Sequence, residues 1–75
     1  MLNKEYQGSV IVIKDNNVIG NYPFVTREEA ELYFLRKCRE MLFNFDEYTK
    51  EVIDYILDNG YESFGNGFVA INWFC

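Results

Sequence analysis

The chain has 75 residues, of which 49% are hydrophobic and 19% aromatic, and a formal net charge of −5 at neutral pH. This length allows one small domain spanning residues 1–75, and the apolar content excludes an intrinsically disordered chain. The apolar runs are too short to cross a bilayer and no secretory leader is visible, so we expect a soluble protein of the cytoplasm. The two cysteines, Cys38 and Cys75, lack metal-binding or redox spacing and are expected to be reduced thiols.

The N-terminal segment predicts a β-hairpin. The β-branched residues 9–14 and the extended residues 18–22 flank Asp15-Asn16-Asn17. Asp and Asn tolerate the left-handed backbone that a tight turn needs. Pro23 cannot donate a backbone hydrogen bond, so it ends the second strand or places that strand at a sheet edge.

A capping box predicts the start of a first helix over residues 27–43. The Thr26 hydroxyl is placed to accept from the N–H of Glu29, and the Glu29 carboxylate to accept from the N–H of Thr26. The predicted core face of this helix consists of Ala30, Phe34, Leu35, Cys38, Met41 and Leu42.

A second helix is predicted over residues 47–59. Asp46 is the expected N-cap, and Gly60 stands where a helix C-terminus favours a positive φ. The predicted core stripe consists of Tyr48, Val52, Tyr55 and Ile56.

The C-terminal segment predicts a second hairpin. Residues 61–64 and 68–74 flank the turn sequence Gly65-Asn66-Gly67, and Trp73 is expected to lie in the core. The fold class is therefore α+β: two β-hairpins form an antiparallel sheet with two helices packed on one face, in the order ββααββ.

The residue types needed for common catalytic sites are missing. The chain has no histidine, which excludes Ser/His and Cys/His arrangements and the commonest metal ligand. The glycines of the second turn do not form a phosphate loop, because no helix or lysine follows them. We therefore expect no enzyme activity, no cofactor and no metal.

The negative charge is concentrated in the last thirty residues. Residues 1–45 contain six basic and six acidic side chains, whereas residues 46–75 contain one basic and six acidic side chains. Spacings of i, i+4, i+7 and i+11 place four carboxylates on one stripe of the second helix, since a helix has about 3.6 residues per turn. These candidate partner-binding residues are Glu47, Glu51, Asp54 and Asp58, and Glu62 follows them in sequence.

Two interpretations of this stripe stay open. It is either a solvated outer face or a recognition face for a protein with a Lys/Arg-rich surface. The solvated face is the default interpretation, and two details argue for recognition. Lys50 alone is placed to compensate the stripe, and Asp54 and Asp58 lie near a helix C-terminus, where the helix dipole disfavours carboxylates. Such a face suits a groove in which nucleic acid would otherwise lie, and direct binding of nucleic acid by this acidic chain is not expected.

The predicted strands carry more apolar surface than two short helices can cover. The first and last strands are apolar on both faces, so one sheet face requires a partner, a second copy or strong curvature. A homodimeric accessory or regulatory domain is thus the alternative function. The residues expected to mediate self-association are Val10, Val12, Phe68 and Phe74.

In its small size, acidity and aromatic content, together with the capped helix at Thr26 and the hairpins, the chain resembles phage-encoded anti-defence proteins, of which anti-CRISPR proteins are the best-known group. The resemblance covers no diagnostic motif. It implies a protein of the host cytoplasm that inhibits a nuclease or surveillance complex by occluding its basic, nucleic-acid-binding surface. The acidic stripe on the second helix is the part of the chain that would do so.

Overall fold

A computed structural model describes residues 5–74 of the chain, so Cys75 and its predicted thiol state lie outside the described part. A four-stranded antiparallel sheet has the strand order β2-β1-β4-β3. In chain order the elements are β1 (Gly8–Lys14), β2 (Asn17–Phe24), α1 (Arg27–Met41), a 3-10 helix (Phe45–Glu47), α2 (Lys50–Asn59), β3 (Tyr61–Phe64) and β4 (Gly67–Trp73). The α+β class with two hairpins and two helices is confirmed, with one additional 3-10 turn between the helices. Neither helix in this part of the chain is long and apolar enough to cross a membrane.

The first hairpin closes through a two-residue turn with a left-handed backbone. Asp15 and Asn16 have φ values of 52° and 66°, as their residue types predict. β2 runs from Asn17 to Phe24 and forms one edge of the sheet, with Pro23 inside it, which confirms the edge placement. The pairing register between β1 and β2 shifts after Val12, so β2 also contains a bulge.

The start of α1 follows the capping prediction with one difference. The hydroxyl of Thr26 accepts from the N–H of Glu29 at 3.1 Å, whereas the Glu29 carboxylate accepts from the N–H of Val25, at 2.7 Å, instead of that of Thr26. The helix ends at Met41, two residues before the predicted end, because Leu42 is extended.

The start of α2 was wrongly predicted. Thr49, not Asp46, caps the helix, and its hydroxyl accepts from the N–H of Val52 at 3.3 Å. Residues 45–47 instead form the 3-10 helix, which buries Phe45. The predicted end is confirmed, since Gly60 has a φ of 70°.

The helices and the sheet share one buried cluster. Its members are Val10, Val12, Phe24, Ala30, Phe34, Cys38, Leu42, Phe45, Ile56 and Val69. Since alternate strand residues point to opposite faces, both helices cover the face that carries Val10, Val12 and Val69. The other face, called the open face below, has no helix on it among the described residues.

The C-terminal strand β4 is central in the sheet, but Trp73 lies at the edge of the core and not inside it as expected. Its side chain is 45% exposed. The ring packs edge-on against Phe24, with centroids 4.9 Å apart, and the Arg27 guanidinium lies 5.4 Å from the ring centroid. The central aromatic side chains are Phe24 and Phe34, both fully buried.

Candidate partner-binding surfaces

The outward side of α2 carries three exposed carboxylates, those of Glu51, Asp54 and Asp58. Their i, i+3 and i+7 spacing places them within a narrow arc of the helix. Tyr55 borders this arc on the side of Glu51 and is 67% exposed. Glu51, Asp54, Tyr55 and Asp58 are called the acidic face below.

The other two candidate acidic residues do not belong to this face. Glu47 is exposed but lies in the 3-10 helix before α2, so the four-residue helical stripe is reduced to three carboxylates. Glu62 is half-buried on β3 and accepts a 2.6 Å hydrogen bond from the hydroxyl of Tyr48. This bond raises the pKa of Tyr48 to about 12, because the carboxylate favours the protonated phenol.

Little positive charge compensates the acidic face. The ammonium of Lys50 lies 3.1 Å from the carboxylate of Asp54, but both side chains are mostly exposed to solvent. Exposed pairs of this kind stabilise by less than about 1 kcal/mol. No basic residue lies in the last turn of α2, so Asp58 faces the negative end of the helix dipole. The formal charge of the face is therefore negative, with Arg27 of α1 and Lys50 as the neighbouring basic residues among those described.

The exposed position of Tyr55 on the acidic face was not predicted from the sequence. Tyr55 and Val52 were assigned to the core, yet both are exposed. The core side of α2 consists of Ile53, Ile56 and Leu57 instead. Their i, i+3, i+4 spacing was a usable signal, because it defines an apolar stripe that leaves Tyr55 on the opposite side.

A cleft of about 330 Å³ separates the N-terminal end of α1 from α2. It is lined by Arg27, Glu31, Asp54, Leu57 and Asp58. Among the described residues, no group of three or more Cys, Asp or Glu side chains is arranged to hold a metal ion.

The thiol of Cys38 is buried, and burial raises its pKa to about 12, so it is protonated at neutral pH and serves as a packing group.

The open face carries no charged strand residue. The four strands contain only two charged side chains, Lys14 and Glu62, and strand alternation places both on the helix-covered side. The centre of the open face is apolar, and the rings of Tyr61 and Phe68 lie 5.2 Å apart on it. The open face includes Ile11, Ile13, Val18, Tyr61, Phe68 and Ala70, with the neutral polar residues Asn21, Ser63 and Asn72 around them, whereas Ser9 on the same face is only 3% exposed.

Two of the four residues expected to mediate self-association lie in the core. Val10 and Val12 are 0% and 2% exposed beneath the helices, so their side chains cannot contact a second copy, and this expectation is corrected. Phe68 lies on the open face. Phe74 follows the end of β4 and is half exposed, and its N–H donates to the carbonyl of Gln7.

Two further large apolar side chains are exposed on and after α1. Leu32 lies beside Arg36 and Arg39 in a shallow groove, and Phe43, just beyond the helix end, is fully exposed. Both side chains belong to the helix layer and not to the open face.

No protein-family model, curated protein or solved structure matches this chain. Its function must therefore be inferred from the chemistry of its surfaces.

Proposed function

We propose that this chain is a non-catalytic protein-binding module that inhibits its partner by covering a Lys/Arg-rich, nucleic-acid-binding surface. The observation that carries the proposal is the composition of the acidic face, in which one exposed aromatic side chain lies among three carboxylates. The partner class that fits is a CRISPR or other nuclease complex in the cytoplasm of a host cell, as for the anti-defence proteins that the chain resembles.

Each part of the acidic face has a role in such a contact. Carboxylates on successive turns lie about 5–6 Å apart and present negative charge to Lys and Arg side chains that otherwise bind phosphates. Tyr55 supplies the large amphipathic contact that commonly dominates binding energy at the centre of an interface. The formal charge of −5 favours rapid encounter with a basic surface.

The packing and the caps of α2 indicate that this chain presents the acidic face as a rigid surface. Ile53, Ile56 and Leu57 fix the helix against the core, and the caps at Thr49 and Gly60 define both of its ends. The acidic face is thus presented without a folding step, and a preformed surface loses little conformational entropy on binding.

Charge reversal on the acidic face tests the proposal. The immobilised protein is incubated with lysate of the source cell, and captured proteins are identified for the wild type and for the Glu51→Lys/Asp54→Lys variant. The matched control is Glu28→Lys/Glu40→Lys on α1, which changes the net charge by the same amount at exposed positions. We expect a nucleic-acid-binding protein to be captured by the wild type and the control but not by the α2 variant.

Two further measurements sharpen the result. Excess duplex DNA should displace the captured protein from the wild type, because both ligands would occupy one basic surface, and rising salt should weaken capture. Tyr55→Ala should weaken capture without changing the net charge. Capture that is indifferent to the α2 reversal, to DNA and to salt would contradict the proposed function.

A further inference from the structure

The open face lacks the features expected of a solvated sheet surface. An antiparallel sheet with one solvated face usually alternates apolar inward residues with polar outward ones. Here the outward positions of the two central strands include Ile11, Ile13, Phe68 and Ala70. These apolar side chains remain partly exposed, because no helix of the described part of the chain covers this face. In a small chain, a contiguous apolar patch of this kind indicates an interaction surface.

We propose that a second copy of this chain packs against the open face, so that two sheets meet face to face around a twofold axis. Charge selects this occupant. Two chains that each carry a net charge of −5 repel each other at most surfaces, but no charged residue of the four described strands lies on the open face. A twofold contact also places the apolar centre of one copy on that of the other, and the Asn and Ser rim on the matching rim.

The two edge strands disfavour edge-to-edge pairing, so self-association through the open face is preferred. β2 contains Pro23 and a bulge, and β3 has only four residues. Proline, bulges and short edge strands all block the pairing of one sheet edge with another. Two copies are therefore directed to stack their sheets, at a spacing of about 10 Å, and not to extend them.

The size of the face sets the expected affinity. Four strands about 4.8 Å apart and four to eight residues long present roughly 400 Å² per copy. The total from two copies is roughly 800 Å², below the 1,200–2,000 Å² that is typical of stable complexes. We therefore expect a dimer that dissociates in the micromolar range or above, and not a permanent one.

Paired charge substitutions at Ala70 test the arrangement, because this residue lies at the middle of β4 on the open face. Sedimentation equilibrium of the wild type from about 10 µM to about 1 mM should show a mass that rises from 8.9 kDa toward twice that value. Ala70→Glu and Ala70→Lys should each raise the dissociation constant at least about tenfold, since like charges would meet near the twofold axis. An equimolar mixture of the two variants should dimerise again.

Phe43→Glu is the matched control, since it places the same charge on a fully exposed apolar site of the helix layer. It should leave the dissociation constant unchanged. Nuclear magnetic resonance of the wild type provides a measurement that needs no variant to fold, because dilution should shift the amide signals of Ile11, Phe68 and Ala70 and not those of α2. A single-chain mass up to about 1 mM, shifts confined to other surfaces, or an equal effect of Phe43→Glu would each overturn the proposal.

Failure of this proposal and failure of the proposed function are distinguishable. The acidic face and the open face lie on opposite sides of the domain and share no residue. Variants at Ala70 should weaken dimerisation yet leave capture of a partner by the acidic face intact. The Glu51→Lys/Asp54→Lys variant should lose capture of the partner and still dimerise.

Discussion

Raising the pH above 9 should destabilise the protein through two identified groups. Burial raises the pKa of the Cys38 thiol from an ordinary 9.0 to about 12, and the hydrogen bond to Glu62 raises the pKa of Tyr48 from 10.0 to about 12. In both cases the folded chain retains a proton that the unfolded chain releases. The stabilisation is therefore complete below the ordinary pKa and is lost progressively as the pH rises toward 12.

The thiol of Cys38 sets the magnitude, because it is fully buried. Between its two pKa values the free energy of unfolding should fall by about 1.4 kcal/mol per pH unit. From pH 8 to pH 11 the loss from this group alone is about 2–3 kcal/mol. That is a large share of the stability of a domain this small. Tyr48 should add to the slope only above pH 10.

Urea unfolding at one-unit steps from about pH 8 to about pH 11, with a reductant present, measures this dependence. Cys38→Ala should remove the part of the slope that begins near pH 9, and Tyr48→Phe the part that begins near pH 10. Each variant removes one titratable group from the wild type, so the difference in slope reports that group. Identical slopes for the wild type and both variants would refute the reasoning.

The remaining predictions concern packing and backbone conformation, and thermal or urea unfolding measures each. Phe34→Ala should lower the free energy of unfolding by about 3–5 kcal/mol, because the ring is fully buried. Trp73→Ala should cost about 1–2 kcal/mol, since nearly half of that side chain is in solvent, and a loss as large as that of Phe34→Ala would contradict the edge placement. Gly60→Ala should cost about 1–2 kcal/mol, because a φ of 70° is unfavourable for alanine. Gly65→Ala, where an added methyl group meets nothing within 4 Å, should be nearly neutral.

Local signals predicted the turns and helix ends with good accuracy, because each depends on a few neighbouring residues. Asp15 and Asn16 adopt the left-handed backbone, Thr26 caps α1 and Gly60 ends α2, as their residue types indicate. The start of α2 was wrong because Asp46 and Thr49 are both good N-caps. Choosing between them required knowing that Phe45 is buried by tertiary packing.

Because of this error, the predicted stripe of four carboxylates on α2 was only partly correct. Glu51, Asp54 and Asp58 keep their mutual spacing wherever the helix begins, whereas Glu47 depended on the earlier start. Tyr55 was missed because any aromatic residue at helical spacing fits a core stripe when burial is unknown.

The sequence did not indicate which sheet face the helices cover. Val10 and Val12 alternate with Ile11 and Ile13, and all four are β-branched and apolar. Alternation assigns residues to two faces but does not say which face is inside. Even the two charged residues of the described strands, Lys14 and Glu62, lie on the helix-covered side. Lys14 is the last residue of β1, and Glu62 accepts a hydrogen bond from the hydroxyl of Tyr48.

The two proposed contacts are compatible in one assembly because they use opposite layers of the domain. Sheets that meet at the open face would direct both α2 helices outward, on the two far sides of a helix–sheet–sheet–helix stack. One flat basic surface cannot then engage both acidic faces, so a dimer would bridge two partner molecules and not bind one of them twice. Rising salt should weaken the contact with the basic partner and strengthen the contact between two copies. Screening weakens the attraction of the acidic face for a basic partner, and it relieves the repulsion between two chains of −5 that meet at an uncharged face.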